Sequence, residues 1–179
     1  MELAEFNALD AAESARVVGV WAAIPEWVQS VVDGRPYRTV DELVAVAEGL
    51  ARDWTRADLD AALSHHPRIG ERPAGTGAEA AASRTEQAGM TDADDDVTAL
   101  IAAGNRVYEE RFGRVFLIRA AGRTPQEMLA ELKRRLSNDP DAEVGEALAQ
   151  LAEIALLRAR GDVIETASTS TPTETGVPS

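Results

Sequence analysis

The stretch DPDAEVGEALAQLAEIALLRAR, residues 139–160, decides the fold class. Its Asp-Pro beginning is typical of a helix N-terminus, because proline suits the first helical position. Apolar residues then recur at helical spacing, which predicts a long helix with one buried face. These residues are Val144, Leu148, Leu151, Ile154 and Ala155.

Helix start signals recur outward from this stretch, toward the N-terminus. A hydroxyl stands three residues before an acid, the spacing of a capping box, at Thr39, Thr55, Ser83, Thr91 and Thr124. Pro25 and Pro125 mark further first helical positions, and Gly34 marks a helix end. Together these signals predict helices near 10–23, 25–33, 40–51, 55–65, 83–88, 95–112, 125–136 and 140–160.

The rest of the chain is predicted to be irregular. Residues 115–118 form an apolar run like that of a strand, but the run has no partner strand, so we expect an extended segment. Residues 69–82 are rich in Gly, Ala and Pro and predict a loop. The expected fold is all-α, a single compact bundle of about seven to nine helices over residues 1–165. Residues 166–179 show no apolar periodicity and predict a disordered tail.

Composition limits the partners and the compartment that we expect. The chain has 179 residues and a formal net charge of -13, which disfavours nucleic acid and anionic membranes as partners. A few arginines can still hold an anionic small molecule. The absence of cysteine excludes disulfides, thiolate catalysis and zinc–thiolate sites. Neither a signal-peptide pattern nor an apolar run of roughly 20 residues is present, so we expect a cytoplasmic protein.

Both histidines of the chain stand in the stretch SHHPRIGER, residues 64–72. His66 precedes Pro67, and proline moves the preceding residue out of the helical region. The imidazole is therefore expected to project from a helix end. Histidine exchanges protons near neutral pH, which makes His66 a candidate acid–base group. The alternative is a histidine that only stabilises a helix C-terminus; His65 is assigned no role.

Glu86 and three arginines are the other candidates for chemistry. The spacing of Glu86 after Ser83 suits a capping carboxylate, and the same carboxylate could instead act beside a histidine. Arg68, Arg119 and Arg158 could each bind a carboxylate or ureido oxygen, because a guanidinium presents paired donors. Arg160 points to another side of its helix and is expected at the surface.

Four blocks then follow one another in a characteristic order: SHHPRIGER (64–72), SRTEQAG (83–89), NRVYEERFG (105–113) and FLIRA (116–120). In this order they resemble the OHCU decarboxylase family, the 2-oxo-4-hydroxy-4-carboxy-5-ureidoimidazoline decarboxylases of urate breakdown. The resemblance covers most of the chain. It begins near Phe6-Asn7, passes through Trp27 and Arg35-Pro36-Tyr37, and reaches Leu156-Leu157-Arg158.

The resemblance implies a decarboxylase that forms (S)-allantoin, with His66 and Glu86 as catalytic residues. His66 would handle the proton and Glu86 would orient it. Gln87 and the backbone of residues 116–120 would bind the ring, and Arg158 would bind a carbonyl or carboxylate. The substrate-binding residues that it implies are Pro67, Ser83, Arg84, Thr85, Glu86, Gln87, Phe116, Leu117, Ile118, Arg119, Ala120 and Arg158.

Neither a cofactor nor a metal is expected. The conjugated C=N and C=O groups of the substrate ring can delocalise the electrons that CO2 leaves behind, so the substrate supplies its own electron sink. Members of the family are often dimers, which makes a homodimer an expectation. Two alternatives stay open: a related ureido-imidazoline lyase, and a non-catalytic helical module that binds a basic partner.

Overall fold

The computed structural model describes residues 1–64, 68–70, 77–86 and 94–165. Within these ranges the chain forms nine helices and no strand, which confirms the all-α prediction. The helices are α1 (Leu3–Ala8), α2 (Ala11–Trp21), α3 (Pro25–Asp33), α4 (Val40–Ala51), α5 (Arg56–Leu63), α6 (Ala78–Glu86), α7 (Asp95–Phe112), α8 (Pro125–Arg135) and α9 (Pro140–Asp162). None of these described helices is long and apolar enough to cross a bilayer. The predicted disordered tail lies outside the described residues.

Most helix start signals are used as predicted. Thr55 and Thr124 form complete capping boxes, in which the hydroxyl accepts from a backbone N–H and the acid accepts from the N-cap N–H. Thr39 caps α4 through its hydroxyl. Prolines occupy the first turn of α3, α8 and α9. These local signals explain why five helices, α3, α4, α5, α8 and α9, begin within one residue of the predicted positions.

The predicted capping box at Ser83 is wrong. Helix α6 begins at Ala78, so Ser83 lies inside the helix and is buried. The predicted loop 69–82 is therefore wrong over residues 78–82, where four of the five residues are alanine, the best helix former. Helix α1 was not predicted, because six residues are too few to show helical periodicity. The predicted cap at Thr91 lies outside the described residues.

Two apolar cores hold the helices together. The first core surrounds α9, which packs against α2, α4 and α5 and contributes Leu151 and Ile154. Leu148, on the face predicted to be buried, is partly buried against this core. The second core lies between α7 and α8 and contains Met128 and Leu132.

An extended segment, residues 115–120, lies between the two cores. Leu117 packs in the first core, whereas Phe116, Ile118 and Ala120 pack in the second. This alternation is that of an extended chain, whose successive side chains point to opposite sides. The predicted extended segment is thus confirmed. Because it is neither helix nor sheet, its backbone N–H and C=O groups are left for other partners.

Candidate active site

Glu86 and Arg158, two of the predicted site residues, form an ion pair. Glu86 is the last residue of α6, and Arg158 lies in the last two turns of α9. Nε of Arg158 donates to Oε1 of Glu86 at 2.6 Å, and Nη2 donates to Oε2 at 2.8 Å. These two parallel hydrogen bonds from one guanidinium are called the fork here. Because the fork binds both carboxylate oxygens, it fixes the plane of the carboxylate as well as its position.

The surroundings of Arg158 hold this fork in place. The Arg158 side chain is 5% exposed, whereas the Glu86 side chain is 24% exposed. Nη1 of Arg158 donates to the backbone oxygen of Val20 at 2.8 Å, and Nη2 also contacts the hydroxyl of Ser83 at 3.4 Å. Every guanidinium nitrogen thus has a partner. The more accessible member of the pair is the Glu86 carboxylate, which faces a cavity.

This cavity has a volume of about 380 Å³ and lies between α6, the end of the extended segment and the last turns of α9. Apolar side chains such as Ile154 and Leu157 contribute to its wall, and Asp162 adds a second carboxylate. A mostly apolar wall with a few placed polar groups is typical of small-molecule sites. The predicted site residues that line it are Thr85, Glu86, Arg119, Ala120 and Arg158.

The extended segment brings unused backbone N–H groups to this region. Ile118 and Ala120 are 2% and 7% exposed, yet their N–H groups donate to no acceptor within the described part of the chain. The N–H of Arg119, between them, donates to Oε1 of Gln150 at 3.0 Å. Buried backbone groups nearly always have a partner. The N–H groups of Phe116 and Leu117 also have no described acceptor, but these residues are further along the chain from Ala120, which lines the cavity. The N–H groups of Ile118 and Ala120 therefore favour a bound ligand at this place.

The other predicted arginines are engaged by the protein. Nε of Arg119 donates to Glu153 at 2.9 Å, and its Nη1 donates to the backbone oxygen of Ala121. The Arg119 side chain thus lines the cavity with its charge already paired. Arg160 binds Asp41 on the surface at 2.7 Å, which confirms the surface prediction for Arg160.

Several residues of the predicted substrate-binding set lie away from the cavity or outside the described residues. Arg84 is exposed, and the side chains of Phe116, Leu117 and Ile118 are buried in the two cores and do not line the cavity. Three predicted site residues, His66, Pro67 and Gln87, lie outside the described residues.

Two side chains of α7 hold Arg68 and Ile69, which lie in the second half of the histidine stretch. Nδ2 of Asn105 donates to the backbone oxygen of Ile69 at 3.0 Å. One turn later, Glu109 accepts from Nη2 of Arg68 at 2.9 Å, and this Arg68 guanidinium keeps the pKa of Glu109 below its usual range. Neither Asn105 nor Glu109 was predicted from the sequence to have a role at the site. Their spacing of four residues was visible, but their partners are not encoded locally.

A second cavity, of about 530 Å³, lies near Ser64 at the end of α5. Its arginines are paired with acids, Arg68 with Glu109 and Arg114 with Asp60 at 3.1 Å. None of its described lining residues belongs to the Glu86–Arg158 pair or to residues 118–120. The smaller cavity is therefore the candidate active site.

The OHCU decarboxylase family model matches residues 7–160, most of the chain. The chain belongs to the OHCU decarboxylase family. A 2-oxo-4-hydroxy-4-carboxy-5-ureidoimidazoline decarboxylase of Amia calva is 31% identical over 174 residues, 96% of this chain and 99% of that protein. The protein of that name in Mus musculus is 29% identical over 161 residues, 88% of this chain and 90% of its own length.

A solved structure agrees with these sequence relatives. The crystal structure of an OHCU decarboxylase in the presence of (S)-allantoin has a TM-score of 0.67 and 27% identity, and covers 79% of this chain and 92% of its own. The resemblance carried by the four sequence blocks is thus confirmed.

Proposed function

We propose that this protein removes CO2 from 2-oxo-4-hydroxy-4-carboxy-5-ureidoimidazoline (OHCU) and forms (S)-allantoin, a step in urate breakdown. The observation that carries the proposal is the fork from Arg158, which holds the Glu86 carboxylate at a cavity lined by Ala120, whose backbone N–H has no acceptor within the described residues. Membership of the family and the names of the two relatives support the substrate. The allantoin named for the related crystal structure supports the product.

The chemistry requires the protein to position the substrate rather than to provide an electron sink. The bond between the ring carbon and the carboxylate breaks, and its electrons enter the conjugated C=N and C=O groups of the ring. A proton then adds to one face of the ring, which gives one enantiomer. Proton delivery by a positioned side chain is the task of a general acid.

The residues would share these tasks as follows. His66 handles the proton, and Glu86 orients His66 and accepts a hydrogen bond from the substrate hydroxyl or ureido group. The N–H groups of Ile118 and Ala120 donate to polar groups of the ring and hold it in place, in the substrate and in the transition state alike. The apolar wall near Leu157 keeps water from the departing carboxylate. Arg158 serves the site by holding Glu86.

The experiment generates OHCU in solution from urate with urate oxidase and hydroxyisourate hydrolase and then adds this protein. Circular dichroism follows the optically active product. We expect (S)-allantoin to form much faster than in the reaction without the protein, and a His66→Asn variant to lose this rate. Racemic product at the uncatalysed rate would contradict the proposal and favour the altered-substrate lyase or the binding module.

Two finer expectations stay predictions: the cytoplasmic location and the homodimer. Fractionation of cells that express the full chain would test the location. Light scattering on the purified protein would test the homodimer, for which the expected result is twice the chain mass of 19.1 kDa.

A further inference from the structure

A buried polar cluster lies directly behind the extended segment. It consists of Tyr108 in α7, Arg135 at the end of α8 and Glu143 in the first turn of α9, and at most 1% of each residue is exposed. Nε of Arg135 donates to Oε1 of Glu143 at 2.9 Å, and the Tyr108 hydroxyl donates to the same oxygen. The other Glu143 oxygen accepts from Asn138 at 2.8 Å.

This cluster also holds the backbone of the extended segment. Nη1 of Arg135 donates to the backbone oxygen of Leu117 at 2.7 Å. The Arg135 guanidinium lies 4.7 Å from the centre of the Phe116 ring, and Tyr108 meets the same ring edge-on at 5.1 Å. Two consecutive residues are thus fixed immediately before Ile118.

Stability alone does not explain a charged pair in this place. The desolvation of a buried ion pair can exceed its attraction, and well-packed apolar residues often replace such a pair without loss of stability. What apolar residues could not supply is the directed hydrogen bond to the Leu117 carbonyl. Burial also raises the pKa of Tyr108, so its hydroxyl remains a donor to Glu143.

We propose that Arg135 and Glu143 are positioning residues, which set the extended segment so that the N–H groups of Ile118 and Ala120 face the substrate. Glu143 fixes the Arg135 guanidinium, and Arg135 fixes the Leu117 carbonyl. The inference rests on the proposed function, because it requires these N–H groups to bind the substrate ring. Arg158 is held by Glu86, Val20 and Ser83, none of which belongs to the extended segment, so we expect the Glu86–Arg158 fork to stay in place when the segment shifts. Loss of the cluster therefore weakens substrate binding more than the chemical step.

The test is a double variant, Arg135→Met with Glu143→Leu, which removes both charges and leaves no unpaired charge buried. We expect its KM for OHCU to rise about tenfold and its kcat to change by less than about threefold. The inhibition constant of (S)-allantoin should rise by a similar factor. A merely structural role would instead lower the amount of folded enzyme and leave KM unchanged.

The matched control is another ion pair between two helices, Arg160→Met with Asp41→Leu. This pair lies at the surface, with side-chain exposures of 51% and 82%, and we expect the wild-type KM. A folded Arg135→Met, Glu143→Leu variant with the wild-type KM would overturn the positioning role.

If the double variant does not fold, a second variant tests the inference instead. Arg135→Lys keeps a positive charge beside Glu143, but its one nitrogen cannot lie both where Nε donates to Glu143 and where Nη1 donates to Leu117. A raised KM supports the positioning role, and an unchanged KM overturns it. Failure of the proposed function is distinct, since the wild-type protein itself would then form no (S)-allantoin.

Discussion

Arg158 and Arg160 stand two positions apart in α9, and their side chains have opposite surroundings. Two residues correspond to about 200° around a helix. Arg158 is therefore buried against Glu86, whereas Arg160 pairs with Asp41, and 51% of the Arg160 side chain is exposed. The two arginines form a natural comparison, with the same residue type on the same helix but only one of them at the site.

We predict that Arg158→Lys lowers kcat/KM by about 30-fold or more, because an ammonium group cannot hold both oxygens of Glu86 in one plane. Arg160→Lys should leave kcat/KM unchanged. The circular dichroism assay measures both variants, with melting temperatures as a check on folding. Equal effects of the two substitutions would contradict the account.

The sequence identified Glu86 and Arg158 as site residues but could not reveal that they bind each other. They are 72 positions apart, and no local pattern encodes such a contact. The spacing from Ser83 to Glu86 even suggested a capping box, which the start of α6 at Ala78 rules out. Ser83 instead contacts Arg158 from within the helix.

At the scale of helices, the capping boxes predict how the fold responds to acid. The hydroxyl of Thr55 lowers the pKa of Asp58, and the backbone N–H of Thr124 lowers the pKa of Glu127. A carboxylate whose pKa is lower in the folded state stabilises the fold above its unfolded pKa, and this stabilisation is lost as pH falls through the folded pKa. We expect the free energy of unfolding, measured with urea, to decrease below about pH 4.5.

Thr124→Ala tests the contribution of one capping box to this acid response. The substitution should lower the free energy of unfolding by about 1 kcal/mol at pH 7. The loss should be smaller at a pH below the lowered folded-state pKa of Glu127, where its carboxylate is protonated and no longer accepts from Thr124. Thr98→Ala, inside α7, should not destabilise the protein, because alanine is the better helix former. An equal loss for Thr124→Ala at both pH values would contradict this role of Glu127.

Two glycines within helices predict opposite effects of alanine. A Cβ at Gly104 in α7 would lie 2.6 Å from Cδ2 of Leu132, a buried residue of the second core, whereas a Cβ at Gly145 in α9 would meet nothing within 4 Å. Gly104→Ala should lower the free energy of unfolding by about 1–3 kcal/mol through overpacking. Gly145→Ala should raise it by about 0.5–1 kcal/mol through helix propensity. Urea denaturation measures the free energy of unfolding of both variants. A stabilising Gly104→Ala would contradict the packing of α7 on α8.

At the scale of the whole molecule, most helices could be predicted because their caps and prolines act locally, as at Thr124 and Pro140. The arrangement of two cores around an extended segment could not be predicted, because it depends on contacts between distant elements. The buried cluster shows why. In the sequence, Arg135 resembles an ordinary base in a last helical turn, and Glu143 resembles an ordinary acid in a first turn. Only the fold buries them together beside Leu117.

The same difference between local signals and distant contacts decides what could be predicted about the site from the sequence. The extended conformation of residues 115–118 could be predicted from the sequence. Whether the N–H groups of Ile118 and Ala120 have an acceptor depends on what surrounds them in the fold. The roles of His66 and Gln87 stay predictions, because both residues lie outside the described part of the chain.

The most direct test of the central claim is the rate of (S)-allantoin formation by Glu86→Gln, followed by circular dichroism with OHCU generated in solution. Glutamine keeps the size of the side chain but removes the charge that Arg158 holds. We expect a loss of kcat of about 100-fold or more. Glu48→Gln, which removes the acid paired with Arg52 on the surface of α4, should stay close to the wild type. A Glu86→Gln protein that forms (S)-allantoin at the wild-type rate would contradict the assignment of this cavity as the active site.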